Sequence, residues 1–399
     1  MFISILSIFF MSCGGSGATA KKPQHDTTVV YRTLTPSQKE YYQHQIQPIY
    51  NNLLVNSGFN GGILVAKNGE IVFEDYKGFF NYKTKEQITA NSQFHIASVS
   101  KTFTAVAVLK LMEDGKINID ADVKTYLPSF PYNNVTVKNL LSHRSGLPNY
   151  VHLMEGTITE VIRTKNKKGR WVKTTRVISR GSDNNKLVTN EDVLKFLAEK
   201  HPSAEALPNK RFQYCNTNFA LLALIVEKVT GIEFPAYMKQ TIFDPLGMKE
   251  TYVFSIRDTG RYTPSYKNNF APYNIEKLDC VYGDKNVYST PRDILLWDQA
   301  LYTNKVISQS TLQMAYTPYS NERGGTHNYG LGWRLLTLPN YTLPYHNGWW
   351  HGNNAVFTRL VKDSATIIVL GNRYNPRIYK AKELASVFTA TTDSLQVDE

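Results

Sequence analysis

Apolar positions along this chain follow two rhythms: short strand-like runs near both ends, and longer helix-like stretches between them. Gly62-Ile63-Leu64-Val65-Ala66 and Ile71-Val72-Phe73 flank Lys67-Asn68-Gly69-Glu70, and two apolar runs around Asn-Gly predict a β-hairpin. Residues 36–56 mix polar and apolar positions at helical spacing, with Pro36-Ser37 as a start signal. From residue 94 to about 317 the pattern turns to helices and long loops. Helices are expected at 102–112, stopped by Gly115, at 190–200, and at 216–229, ended by Gly231. Strands return at 329–336, 341–346, 354–361 and 365–370, followed by a last helix over 377–389. A sheet assembled from both chain ends, flanked by terminal helices and enclosing a mostly helical region, is an α+β architecture. No internal repeat is present.

Composition changes this picture little, but charge and the first residues add to it. The 399 residues suffice for one large domain with a sizeable core. The formal charge is +12, and between Val161 and Leu187 nine basic residues stand against the single acid Asp183, so this segment supplies +8 of it. A solvated loop or hairpin insert at about 155–188 is the plain reading, and attraction to an anionic envelope surface the alternative. No recognition motif accompanies the charge, which argues against nucleic acid.

Met1 to Ser12 are almost wholly apolar, too few to span a bilayer, and reach Cys13-Gly14-Gly15. The expectation is a signal segment and tether over 1–33, a single domain over 34–392 and a tail over 393–399. Phe10-Met11-Ser12-Cys13 resembles a lipobox, which makes Cys13 the candidate lipid-attachment residue and the cell envelope the expected location; a soluble secreted form is the alternative. Cys215 and Cys280 form no disulfide scaffold and read as buried free thiols rather than a bridge.

The candidate chemistry starts at Ser98-Val99-Ser100-Lys101. Positions i and i+3 share a helix face, so a lysine amine there can reach a serine hydroxyl, and a helix start favours charge developing on a substrate oxygen. Alone, a Ser-x-x-Lys is expected about once by chance in a chain of this size. Tyr214-Cys215-Asn216 is one of seven Tyr-x-Asn in the chain and the one leading straight into an apolar helix. His346-Asn347-Gly348 is the single His-x-Gly and ends a predicted strand, where Gly348 lets a substrate backbone approach. His95, His143 and His351 read as structural. Neither a metal-ligand spacing nor Gly-x-Ser-x-Gly occurs, so no metal or other cofactor is expected. Trp349-Trp350 fits a pocket wall or the core equally.

Phe94-His95-Ile96-Ala97-Ser98-Val99-Ser100-Lys101-Thr102 resembles the nucleophile segment of the serine β-lactamase-like family, which holds class C β-lactamases, DD-carboxypeptidases and related esterases. Leu140 to Pro148, Tyr288 to Asp293 and Tyr329 to Trp333 resemble further family segments in the same order, and the basic segment looks like an insertion. The resemblance implies Ser98 as the acylated nucleophile, Lys101 as the group that takes or relays its proton, and Tyr214 as the shuttle to the leaving group. It also implies an oxyanion hole from the backbone N–H groups of Ser98 and Trp349, with Asn216, His346, Asn347 and Gly348 binding substrate. His346 stands where the lactamases have lysine, and Asn347 where threonine is usual. The expected activity is hydrolysis of an amide or ester, DD-peptidase-like or esterase-like, on a small molecule or a D-amino-acid peptide. The alternatives are a β-lactamase proper and an inactive, lipid-anchored binding module of the same fold.

Overall fold

A computed structural model describes residues 32–154, 157–165, 169–179, 186–322, 324–339 and 341–389. The centre is a seven-stranded antiparallel sheet of β1 (Gly61–Lys67), β2 (Glu70–Lys77), β3 (His327–Tyr329), β4 (Arg334–Leu338), β5 (Tyr341–Trp350), β6 (Asn353–Leu360) and β7 (Ala365–Gly371), in the order β3-β4-β5-β6-β7-β1-β2. The predicted hairpin is β1–β2, and β1 closes onto the C-terminal β7 with Gly61 opposite Gly371 and Lys67 opposite Ala365. The sheet therefore joins both ends of the chain, and the α+β expectation holds.

Alternation of side chains splits each central strand between two cores. Ile63 and Val65 of β1, with Ile367 and Val369 of β7, face one core; Leu64, Ala66, Ile368 and Leu370 face the other. Burial on both faces is why these strands read as unbroken apolar runs. The first core is roofed by α1 (Pro36–Leu53) and by the C-terminal helix Pro376–Val387. The last helix stands where the sequence predicted it and is wound as a 3₁₀ helix. The second core lies under the inserted helical region, centred on α2 (Ser100–Glu113) and α3 (Asn216–Thr230). Both are apolar nearly all round because they are enclosed on every side. Gly231 ends α3 in the left-handed region, its N–H bonded to Glu227 O at 2.8 Å, as its position predicted.

Two expectations need correction. The strand expected over 329–336 is two strands, β3 and β4, broken at Gly330–Gly332. Gly332 adopts φ +82° and packs so tightly on α2 that a Cβ would stand 2.3 Å from Ala105 Cβ. The strand expected to end at His346 continues to Trp350, turned back by the two residues His351 and Gly352. The basic insert holds a two-stranded hairpin, Thr157–Lys165 paired with Trp171–Ser179, which among the described residues joins no other sheet.

Candidate active site

The turn carrying Ser98 is set by the residues before it. Ala97 lies in the left-handed region at φ +48°, an unfavourable state for alanine. Its N–H donates to His95 Nδ1 (3.1 Å), and His95 Nε2 then donates to Asn286 Oδ1 (3.0 Å). Burial pushes His95 down to about 4, so the ring is neutral and holds that tautomer. Ser98 follows, half-buried in the 3₁₀ turn Ala97–Val99 that runs into α2. Lys101 is fully buried in the first turn of α2. Its Nζ lies 3.0 Å from Ser98 Oγ, 2.8 Å from Asn216 Oδ1 and 2.7 Å from the carbonyl of Asp284. The spacing read from the sequence thus brings Ser98, Lys101 and Asn216 together.

Tyr214 precedes α3 with its ring between two cations. Lys101 Nζ is 5.0 Å and Arg334 Cζ 5.1 Å from the ring centroid. The His143 ring packs on it at 4.3 Å. His143 Nδ1 accepts from Cys215 N–H (3.2 Å) and from Asn218 Nδ2 (3.1 Å), which leaves the proton on the buried, unpartnered Nε2. Burial, with Lys101 nearby, holds His143 far below its usual range. Cys215 and Cys280 are both free and buried.

The third wall is the end of β5. β4 pairs only as far as Arg334 with Tyr345, so β5 has no strand neighbour on that side from His346 onward. The two-residue turn makes Trp350 and Asn353 the hydrogen-bonded pair, so Trp349 falls in a non-bonded pair and its N–H faces the open edge. Gly348 presses on the turn carrying Ser98: a Cβ there would stand 2.3 Å from Ile96 O and 3.2 Å from Ser98 N. The indole of Trp349 is 63% exposed and donates to His351 O (2.9 Å).

His346 is fully buried. Its Nδ1 donates to Asn347 O (2.7 Å) and its Nε2 accepts from Tyr329 Oη (3.2 Å), so both ring nitrogens are engaged within the protein. Burial, reinforced by Arg334 and Lys101, pushes it far below its usual range. Asn347 is half-buried, with Oδ1 unpartnered.

Two groups beside the site escaped the sequence reading. Arg334 lines a cleft with Arg211, Phe212, Glu322, His327, Tyr329 and Tyr345; its Nε has no partner, and Glu322 pairs with Arg144 instead. It read as an ordinary alternating strand position. The Asp284 carbonyl could not have been found, because a backbone acceptor carries no residue signature. Asp284-Lys285, both buried, was the one faint signal: an adjacent acid and base just before the family-like segment at Tyr288.

Cys13 and the leader lie outside the described residues. Among those described, no helix is long and apolar enough to cross a membrane, and no cluster of His, Cys, Asp or Glu is placed to hold a metal ion.

A family profile described as Beta-lactamase matches residues 54–387. The chain is similar to penicillin-binding protein 4* of Bacillus subtilis, 30% identical over 367 residues that cover 86% of this chain and 76% of that protein. It is also similar to protein flp of Staphylococcus aureus, 25% identical over 84% of this chain, and spans 65% of that protein, less than two thirds of its length. Its fold is like that of a penicillin-binding protein from Bacillus halodurans, with TM-score 0.69 and 23% identity over 85% of this chain and 98% of that one.

Proposed function

The chain belongs to the beta-lactamase family, and from that premise we propose that it is a serine hydrolase of the cell envelope that cleaves amides or esters through an acyl-enzyme on Ser98. The observation that carries this reading is the bonding of Lys101. Asn216 Oδ1 and the Asp284 carbonyl accept from its Nζ at 2.8 and 2.7 Å and hold that nitrogen 3.0 Å from Ser98 Oγ, the reach that proton transfer between the two needs.

In this mechanism Ser98 Oγ bonds to the carbonyl carbon while its proton passes to Lys101 Nζ. The carbonyl electron pair moves onto oxygen, held by the N–H groups of Ser98 and Trp349; oxyanion donors of this kind are worth about 3–4 kcal/mol of barrier each. When the tetrahedral intermediate collapses, the bond to the leaving nitrogen or oxygen breaks, and Tyr214 relays the proton to the departing group. Water then attacks the acyl-enzyme, its proton leaving by the same groups, and Ser98 is regenerated. Asn216 holds the substrate amide.

Arg334 favours a substrate with a free carboxylate. It lies on the Tyr214 side of the site, where the leaving group departs, and Glu322, which lines the same cleft, is paired with Arg144 and not with Arg334. His346, neutral and internally bonded, does not supply that charge. A peptide with a free C-terminal carboxylate, a D-amino-acid peptide among the candidates, therefore fits better than a simple ester. Lipidation at Cys13 would hold the enzyme to the membrane.

Labelling with a fluorophosphonate or a fluorescent penicillin, with mass spectrometry of the peptide containing Ser98, tests the acyl-enzyme. Folded protein that takes neither label would overturn the reading. Hydrolysis of a D-Ala-D-Ala peptide, a nitrophenyl ester and nitrocefin by wild type and Ser98→Ala then ranks the substrates.

A further inference from the structure

We propose that buried Lys285, acting with Asp284, Tyr150 and Asp279, is a positioning residue that holds Lys101, the start of α3 and the end of β5 in one register. This rests on the serine-hydrolase reading for its kinetic consequence, though not for its geometry.

Lys285 and Asp284 are 2% and 1% exposed, and their charged atoms lie 3.7 Å apart. Lys285 Nζ donates to Tyr150 Oη (2.6 Å) and to Val281 O (3.1 Å), and Tyr150 Oη donates to Asp284 Oδ2 (2.9 Å). From this centre three links run outward. The Asp284 carbonyl accepts from Lys101 Nζ, so the main chain that carries the acid also fixes the amine beside Ser98. The Tyr150 N–H donates to Thr217 Oγ1 (2.7 Å), next to Asn216, which binds the same Lys101. On the third side Lys285 Nζ sits 4.7 Å from the Trp350 ring centroid. Trp350 Nε1 and His351 Nε2 are both bonded to Asp279, at 2.7 and 2.9 Å, which anchors the turn that ends β5. One ammonium group thus touches a branch to each of the three segments that build the site.

Stability alone is a poor reason for such a cluster. Removing two charges from water costs several kcal/mol each, and apolar replacement of a buried pair is often neutral or stabilising. Asp284 Oδ1 even remains without a partner. The arrangement does specify one geometry, because an ion pair bridged by a hydroxyl tolerates little displacement. Misplacement by about an ångström can cost on the order of 100-fold in rate.

The test compares Lys285→Met, Asp284→Asn/Lys285→Met and wild type by rate of Ser98 labelling, by kcat against KM, and by the lysine side-chain NMR signal of Lys101, assigned with Lys101→Arg. Lys285→Met strands a buried carboxylate and is expected to lose stability; the double variant removes both charges and is expected to recover it. With the fold restored, the double variant should still label roughly 10- to 100-fold more slowly, with KM nearly unchanged and the Lys101 signal displaced. Arg359→Met serves as the control, since its buried pair with Asp298 (2.5 Å) lies elsewhere and should cost stability without moving that signal. A folded double variant that labels at the wild-type rate overturns the proposal. So does an unmoved Lys101 signal, which decides the matter even if wild type proves not to label and the hydrolase reading itself fails.

Discussion

A Cβ on Gly348 would collide with Ile96 O at 2.3 Å and Ala97 Cβ at 3.1 Å, and both of those atoms belong to the turn that presents Ser98. Backbone cannot yield there as a flexible side chain would. Gly348→Ala is therefore expected to push β5 away from the turn and reduce Ser98 labelling by at least tenfold, with a circular-dichroism melt to show that the sheet persists. Arg334→Met addresses the carboxylate preference. A hydrogen bond to a charged group is worth about 1.5–3 kcal/mol, so kcat/KM for a D-Ala-D-Ala peptide should fall by roughly 10- to 100-fold. Nitrophenyl ester hydrolysis should hardly change; equal losses on both substrates would remove Arg334 as a carboxylate binder. At this scale the readable residues were those related by local spacing. Ser98 and Lys101 are three apart on one turn, and Tyr214 and Asn216 bracket a helix start. What stayed hidden acts through a main-chain carbonyl, as at Asp284, or across strands, as Arg334 does opposite Tyr345.

Helix and strand limits were legible where a local signal fixes them. The helix Asn190–Lys200 begins at Thr189, whose side chain accepts from Asp192 N while Asp192 caps Thr189 in return, and α3 stops at Gly231. The break between β3 and β4 was illegible because its cause is tertiary: Gly332 bends to clear Ala105 of α2. The basic hairpin poses a question of its own. Its strands pair from Thr157–Ser179 to Lys165–Trp171 and, among the described residues, with no other strand. Directly opposite residues of an antiparallel pair lie about 5 Å apart, so a short Gly-Ser link can replace 158–178. That variant is expected to keep its melting temperature and Ser98 labelling; loss of labelling would tie the hairpin to the site.

For the molecule as a whole, three buried histidines set how stability responds to acid. His95, His143 and His346 are all pushed down by burial, His95 to about 4. Above about pH 6.5 they are neutral folded or unfolded and cost nothing. Below it the unfolded chain gains protons that the native state refuses. Each then removes up to about 1.4 kcal/mol of stability per pH unit until its own folded value is reached. Calorimetry from pH 7.5 to 5 should show a falling melting temperature, and a His95→Asn variant should fall less steeply. The sheet has a further consequence, one of timing. β1 and β2 are made early, yet β1 has its partner β7 only after residue 371 has been added. Until then the hairpin presents an unpaired strand edge, which is a template for association with other chains. A chain stopped before residue 365 should be cut throughout by trypsin rather than leave a resistant core. β7 thus closes the sheet from its middle: it joins the early hairpin to the later strands, and the β5 edge facing Ser98 is braced only once β6 and β7 have been added.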